Sequence, residues 1–165
     1  MIQREVFRCR PNIEYLENIP LILKRVECID RRIYDLKVHE CDLFMKYRGN
    51  PCFITLYSYW SEPTTNKYAY RNLIQLFEEG KIMLKFLIFI FKASYGDMVG
   101  TIMMNSILPS ARIFLKYICD IAKALSLIHA SNIIHGAVRP SNIYLCAGNQ
   151  AKLGEFKKVR NFKRE

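Results

Sequence analysis

Residues 135–142 read His-Gly-Ala-Val-Arg-Pro-Ser-Asn and residues 152–157 read Lys-Leu-Gly-Glu-Phe-Lys, and these two stretches decide the fold. The second stretch follows the first at a short distance, with Glu155 placed 18 residues after Ala137. Between them, two short apolar runs at residues 143–145 and 151–153 flank Gly-Asn, a pattern that predicts a β-hairpin. The chain therefore presents a polar loop, a hairpin and a second polar stretch in direct succession.

An amphipathic helix is predicted directly before the first loop. Apolar residues recur there at spacings of four, three, four and three, which is the period of one helix face. Pro-Ser at 109–110 suits the start of this helix, and Ser-Asn at 131–132 suits its end, because Asn tolerates left-handed backbone angles. The apolar stripe consists of Phe114, Ile118, Ile121, Leu125 and Ile128.

The two polar stretches, in this order and at this distance, resemble motifs of the protein kinase family. Kinases carry a catalytic loop of the form H-R-D-L-x-x-x-x-N, followed by a K-L-x-D-F-G segment. His135, Pro140 and Asn142 stand at the family spacing of the first motif, and residues 152–157 match the second. An ordinary helix, loop and hairpin with an incidental His and Asn is the alternative explanation.

The resemblance implies an α+β fold in two parts. Residues 1–80 would form a kinase-like N-lobe, an antiparallel sheet with one helix. Residues 81–165 would form a partial, mainly helical C-lobe that ends in the catalytic-loop hairpin and a basic tail. A complete kinase domain is about one and a half times as long, so the resemblance also implies a truncated domain with a hinge near residues 73–80.

The departures from the kinase pattern concern catalysis. Ala137 stands in the place of the Asp that accepts the substrate proton, and a methyl group cannot act as a general base, whose assistance is typically worth about 10²–10⁴-fold. Glu155 keeps the carboxylate of the second motif on a longer side chain, while Lys157 replaces a Gly. The sequence therefore predicts a pseudokinase with no catalytic residue.

The first part of the chain offers candidates for nucleotide binding. Lys24, in the apolar run at residues 21–26, resembles the strand Lys of kinases, and Glu40, 16 residues later, resembles its helical partner. No Gly precedes Lys24, so the family's glycine-rich loop is absent. We expect Lys24, Glu40, Asn142 and Glu155 to converge on one cleft that binds ATP weakly, with Asn142 and Glu155 as weak candidates for holding Mg²⁺.

Residues 82–91 form a long apolar run. A membrane-spanning helix needs about 20 apolar residues, whereas this run is half that length and contains a Lys. It also lies far from the N-terminus, unlike a signal peptide. We therefore expect no transmembrane segment and predict a core helix of the C-lobe here.

Net charge and cysteine content indicate which classes of partner and cofactor to expect. The formal net charge is +10, which favours acidic partners, nucleic acid or anionic membrane non-specifically. The basic residues near the C-terminus do not interleave with aromatics as base stacking requires, so no specific nucleic-acid binding is predicted. The six Cys residues form no C-x-x-C pair, which argues against zinc and favours reduced thiols in an intracellular, cytoplasmic protein.

Three functional hypotheses remain. The first is an inactive kinase-like module that binds a protein, such as another kinase or a kinase substrate, or that self-associates through an exposed part of the Phe114–Ile128 stripe. The second is an ATP-binding kinase with residual serine/threonine phosphotransferase activity, using Asn142 and Glu155 for the metal. The third is a basic adaptor for nucleic acid or membrane surfaces. Ala137 and the missing glycine loop favour the first.

Overall fold

The computed structural model describes residues 4–9, 21–63, 85–92, 96–105, 108–156 and 158–161. Contacts divide the chain into two compact units, one made of residues 1–45 with 56–92 and the other of 46–55 with 93–165. The predicted boundary between residues 80 and 81 and the predicted hinge at residues 73–80 lie outside the described residues. Both stay predictions.

The first unit contains an antiparallel sheet. Its strands are β1 (Arg4–Cys9), β2 (Leu21–Cys28), β3 (Leu56–Pro63) and β4 (Lys85–Lys92), in the order β1-β2-β4-β3. Val26 of β2 pairs with Leu87 of β4, and both side chains are buried. The antiparallel sheet predicted for the first part of the chain is therefore present, although its fourth strand lies beyond residue 80.

The prediction of a helix at residues 82–91 is wrong for the part that the structure describes. Residues 85–92 form β4, which lies between β2 and β3. The neighbouring residues Leu87 and Ile88 are both buried, and consecutive side chains of a strand point to opposite faces of the sheet. A strand covered on both faces reads as a continuous apolar run, which periodicity alone cannot distinguish from a buried helix.

One helix, α1 (Arg31–Lys46), belongs mostly to the first unit and contains Glu40 as predicted. Asp30 caps its start by accepting a 2.7 Å hydrogen bond from the Ile33 backbone N–H. Phe44 packs edge-on against Phe91 of β4, with ring centroids 5.2 Å apart. These contacts fix the helix on the sheet, so that its position follows from burial of one apolar face.

Buried thiols lie in the same unit. Cys28 of β2 and Cys41 of α1 have no exposed surface. Burial in apolar surroundings disfavours the thiolate, and it raises the pKa of the Cys28 thiol to about 11 and that of the Cys41 thiol further. Both side chains therefore act as small apolar core residues at neutral pH.

Two α-helices lie in the part of the second unit that the structure describes. They are α2 (Met98–Asn105) and α3 (Ala111–Ala130). Ser110 caps the start of α3 by accepting from the Ile113 N–H, and Asn132 follows the end with φ of 57°. Both predicted helix ends are confirmed. Among the described residues, no helix has the length and apolar character needed to cross a membrane.

Short strands complete the second unit. They are β5 (Gly96–Asp97), β6 (Ile133–Ile134), β7 (Ile143–Cys146), β8 (Gln150–Leu153) and β9 (Arg160–Asn161). Strands β7 and β8 form the predicted hairpin, whose turn includes Gly148 at φ 71° and Asn149 at φ 52°. The described residues as a whole form an α+β fold. The comparison of the second unit with a kinase C-lobe stays a prediction.

Candidate functional site

The loop at residues 135–142 is organised by a buried histidine. His135 is 1% exposed. Its Nδ1 accepts from the Ala137 backbone N–H at 3.3 Å, and its Nε2 lies 3.0 Å from the Gly154 carbonyl oxygen. Because a neutral imidazole has one donor and one acceptor nitrogen, these contacts assign the proton to Nε2. His135 therefore joins the two polar stretches through its two ring nitrogens.

Asn142 closes the same loop from its other end. It ends the 3₁₀ turn Pro140–Asn142 and is 5% exposed. Its side-chain Nδ2 donates a 2.8 Å hydrogen bond to the Ala137 carbonyl, and its own carbonyl accepts from the Gly154 N–H at 3.0 Å. The amide nitrogen is thus used to shape the loop, which leaves the amide oxygen as the atom that could bind a cation.

Ala137 lies at the centre of these contacts. Its backbone N–H is bound by His135 and its carbonyl by Asn142, so its backbone is held from both sides. The side chain at this fixed position is a methyl group. A methyl group can neither accept a proton nor orient a hydroxyl, so the loop cannot supply the general base at the position that the kinase motif assigns to it.

Gly136 fits where no other residue would. Its φ is 71°, and a Cβ built there would lie 2.4 Å from the Lys158 carbonyl oxygen. Lys158 directly precedes the segment that carries β9, which pairs with β6. The Gly therefore allows the chain after residue 157 to cross close above the loop.

Glu155 has an unusual backbone conformation. Its φ is 64°, in the left-handed region that non-glycine residues rarely adopt. The Tyr144 hydroxyl donates a 3.4 Å hydrogen bond to Glu155 Oε1. The adjacent Gly154 leaves room for the same ring, since a Cβ there would lie 2.8 Å from Tyr144 Cε2. Strained residues of this kind cluster at functional sites, which supports Glu155 as a site residue.

An aromatic cluster packs against both polar stretches. Phe156 is 2% exposed, and its ring centroid lies 5.5 Å from that of His135 and 5.6 Å from that of Phe53. Tyr47 completes the cluster, with its centroid 4.8 Å from that of Phe53. Aromatic pairs at 4.5–7 Å are favourable beyond their burial, so the cluster holds the backbone of Glu155 and of the His135 loop in place.

In the first unit, Glu40 is 1% exposed on α1 and forms an ion pair with Lys37, three residues earlier on the same helix. Within the described residues, its Oε1 accepts no hydrogen bond. Lys24 is half-buried on β2, opposite Val6 of β1. Glu40 is therefore a buried carboxylate whose charge is compensated within its own helix.

The four predicted binding residues fall into two pairs. Lys24 and Glu40 belong to the first unit, and Asn142 and Glu155 to the second. The structure joins Asn142 to the Glu155 segment through the bond to Gly154. The convergence of all four on one cleft stays a prediction. Lys157, which replaces the Gly of the second motif, is outside the described residues.

The candidate metal ligands fit Mg²⁺ only in part. Mg²⁺ takes six oxygens, commonly with one or two carboxylates, waters and substrate phosphates. Glu155 offers a carboxylate that already accepts a hydrogen bond from the Tyr144 hydroxyl, and Asn142 offers one amide oxygen. In the described part of the chain, no group of three His, Cys, Asp or Glu side chains could hold a metal ion. Weak binding of Mg²⁺ by Asn142 and Glu155 stays a prediction.

Sequence reasoning missed three contributors to the site. The Lys37–Glu40 pair has a readable signal, because residues three apart face each other on a helix. Tyr144 and Gly136 have none, since their roles depend on contacts with Glu155 and with the Lys158 carbonyl. Those contacts exist only once the hairpin and the following segment have folded.

The sequence of the chain was compared with those of known proteins. No protein-family model matches the chain. Serine/threonine-protein kinases GRIK1 and GRIK2 of Arabidopsis thaliana are each 35% identical to it over 48 residues, which is 29% of this chain and 12% of each kinase. Aurora/IPL1-related protein kinase 2 of Caenorhabditis briggsae is 42% identical over 41 residues, 25% of this chain and 14% of that protein.

The chain thus spans between 12% and 14% of the length of the curated kinases that it matches. The matches support a kinase-like relation in agreement with the motifs. They concern short segments, and they do not bear on whether the chain transfers phosphate.

Proposed function

We propose that this chain is a kinase-like module that does not transfer phosphate and that acts by binding another protein. The observation that carries the proposal is the environment of Ala137. His135 and Asn142 hold the backbone of this residue on both sides, so the loop keeps its internal structure while its central side chain is a methyl group. A loop that keeps its hydrogen bonds but lacks the catalytic base suits a kinase-derived module that binds and does not catalyse.

Weak ATP binding is part of the proposal. Asn142 and Glu155 would hold the cation that accompanies the nucleotide, and Lys24 would offer charge to its phosphates. When bound, Mg²⁺ neutralises phosphate charge. The residues of this chain supply only the holding groups, and the glycine-free sequence before Lys24 lowers the expected affinity because no loop of backbone N–H groups can close over the phosphates.

A kinase with residual activity is the second candidate. It is favoured by one observation, that Glu155 keeps a carboxylate in a strained backbone conformation in the same unit as Asn142. Substrate or water would then have to replace the missing base. Loss of the base and of the glycine loop together favour the inactive module over this alternative.

Labelled ATP with Mg²⁺ or Mn²⁺ tests the proposal. The full chain should incorporate no more label into itself or into a generic peptide than a Lys24→Met variant does. Incorporation that Lys24→Met abolishes would overturn the proposal and support residual kinase activity.

A thermal-shift titration tests the nucleotide part separately. A ligand present at 100 times its dissociation constant stabilises a protein by about 2.7 kcal/mol. We expect a shift only at millimolar ATP and a smaller shift for Glu155→Ala. A large shift at micromolar ATP would contradict weak binding.

A further inference from the structure

Helix α3 is apolar on two sides, and only one of them is covered. Its buried residues are Tyr117, Ile121, Ala124 and Ile128. Beside them runs a second row of apolar residues, here named the exposed strip: Phe114, Leu115, Ile118 and Ala122, which are exposed, and Leu125 at its end, which is half-buried. Phe114 is 46% exposed, Leu115 61% and Ile118 52%. The predicted stripe is thus buried at Ile121 and Ile128 and exposed at Phe114 and Ile118.

The members of the exposed strip are neighbours on the helix surface. Leu115 and Ile118 are three residues apart, and Ile118 and Ala122 four apart, so that adjacent side chains lie within about 5–6 Å at Cβ. The strip extends from residue 114 to residue 125, about 16 Å along the axis at 1.5 Å per residue. A continuous apolar row of this kind marks an interaction surface, whereas single exposed apolar residues do not.

The charges beside the strip are positive. Arg112 and Lys123 are exposed on one flank. The helix contains a single acidic residue, Asp120. Its carboxylate is engaged by Lys116 at 3.2 Å and by the Ala151 backbone N–H at 3.1 Å. Arg112 and Lys123 are therefore the charged groups that this helix presents beside the strip, and the helix itself offers no second acidic residue.

We propose that the exposed strip is the docking surface for an acidic amphipathic helix of a partner protein. Apolar side chains of that helix would pack on Leu115 and Ile118, and Glu or Asp on its flank would face Arg112 and Lys123. This mode, an apolar helix face laid on an apolar row with charges setting the orientation, is common in peptide recognition. The proposal deepens the proposed function, because it names the surface and chemistry of the binding that function assumes.

Charge argues against a second copy as the occupant, and coverage of one side of the helix argues against a membrane. A second copy would bring another chain of formal charge +10 to the same basic helix, which opposes association by repulsion. A membrane-surface helix buries its whole apolar face in the lipid, whereas the side of α3 that carries Tyr117 and Ile121 is already buried within the protein. An acidic partner fits both the apolar row and the basic flank.

Fluorescence anisotropy with the full chain tests the docking. The probes are a panel of labelled 20-residue amphipathic peptides with Leu and Phe at helical spacing and Glu on both flanks, together with matched peptides that carry Lys in place of Glu. We expect the acidic peptides to bind at least tenfold tighter than the basic ones, and the affinity to fall with added salt.

Protein variants locate the site. Ile118→Glu should weaken binding of the acidic peptides at least tenfold, and Arg112→Glu with Lys123→Glu should remove the preference for acidic over basic peptides. Leu36→Glu is the matched control, since Leu36 is 56% exposed on α1 of the first unit and should change the affinity less than twofold. Circular dichroism verifies that each variant is folded.

Several results would overturn the proposal. They are equal binding of acidic and basic peptides, no binding by any peptide of the panel, or equal effects of Ile118→Glu and Leu36→Glu. Ile118-dependent binding to phosphatidylserine vesicles without peptide binding would assign the surface to a membrane, and an Ile118-dependent dimer in sedimentation would assign it to a second copy. These binding measurements involve no phosphate transfer, so a negative result leaves the claim that the chain does not transfer phosphate unaffected. Conversely, incorporation of labelled phosphate would overturn that claim without bearing on the docking surface.

Discussion

Replacing Gly136 by Ala should destabilise the second unit much more than replacing Gly148 by Ala. Both glycines have φ of 71°, but a Cβ at Gly136 would lie 2.4 Å from the Lys158 carbonyl oxygen, whereas a Cβ at Gly148 would meet nothing within 4 Å. The pair therefore separates the cost of left-handed backbone angles, common to both, from the cost of close approach, which only Gly136 incurs.

The magnitudes follow from these two contributions. The left-handed conformation costs a non-glycine residue about 1–2 kcal/mol, and the reduced freedom of the unfolded chain returns about 0.4–1 kcal/mol. Gly148→Ala should thus lower the free energy of unfolding by about 1 kcal/mol. Gly136→Ala must also displace the backbone at Lys158, and overpacking of this kind costs typically about 1–3 kcal/mol more.

Urea denaturation of the full chain measures this difference. We expect the free energy of unfolding to be about 1–3 kcal/mol lower for Gly136→Ala than for Gly148→Ala. The backbone amides of Ile133 and Ile134 should exchange faster in Gly136→Ala than in Gly148→Ala, because β6 pairs with the strand that follows Lys158. Equal destabilisation by the two substitutions would refute the close approach of residue 158 to the loop.

Three further predictions concern buried groups. Lys37→Met should lower the free energy of unfolding by about 3–5 kcal/mol in urea denaturation, because it leaves Glu40 as an uncompensated buried charge. The double variant Lys37→Met/Glu40→Leu should recover much of this loss in the same assay. Burial raises the pKa of the Cys28 thiol from 9.0 to about 11, so the unfolded state loses its proton first and stability falls as pH rises from 9 toward 11. At pH 10 the wild type should lose about 1 kcal/mol of unfolding free energy that Cys28→Ala retains, and a parallel pH dependence of the two proteins would contradict this. Asn142→Ala should cost about 1–3 kcal/mol by leaving the Ala137 carbonyl without its bond, whereas Ser141→Ala, at an exposed neighbouring position, should be nearly neutral.

Much of the second unit was predictable because its signals are local. The ends of α3 follow from Ser110 and Asn132, and the hairpin follows from the turn at Gly148. The role of His135 as a buried organiser of the loop was also predictable, since its neighbours along the chain are apolar. Signals of this kind depend on spacing and turn chemistry, which the sequence displays directly.

The rest depends on tertiary structure. The strand at residues 85–92 was mistaken for a helix because burial on both faces removes the alternation that identifies a strand. The contact of Tyr144 with Glu155 crosses from a hairpin strand to the second residue after its partner strand. The exposure of Ile118 beside the buried Ile121 depends on which face of α3 meets the hairpin, and the apolar stripe gives no indication of it.

Phosphoryl transfer measured to a low limit tests the central claim most directly. Protein kinases turn over at about 1–100 s⁻¹, and loss of the general base alone costs about 10²–10⁴-fold, so an enzyme that lacked only this base would still transfer phosphate at about 10⁻⁴–1 s⁻¹. With labelled ATP and Mg²⁺ or Mn²⁺, the full chain should show no transfer at this limit beyond that of Lys24→Met. Transfer within this range that is lost in both Lys24→Met and Glu155→Ala would contradict the account and identify a slow kinase.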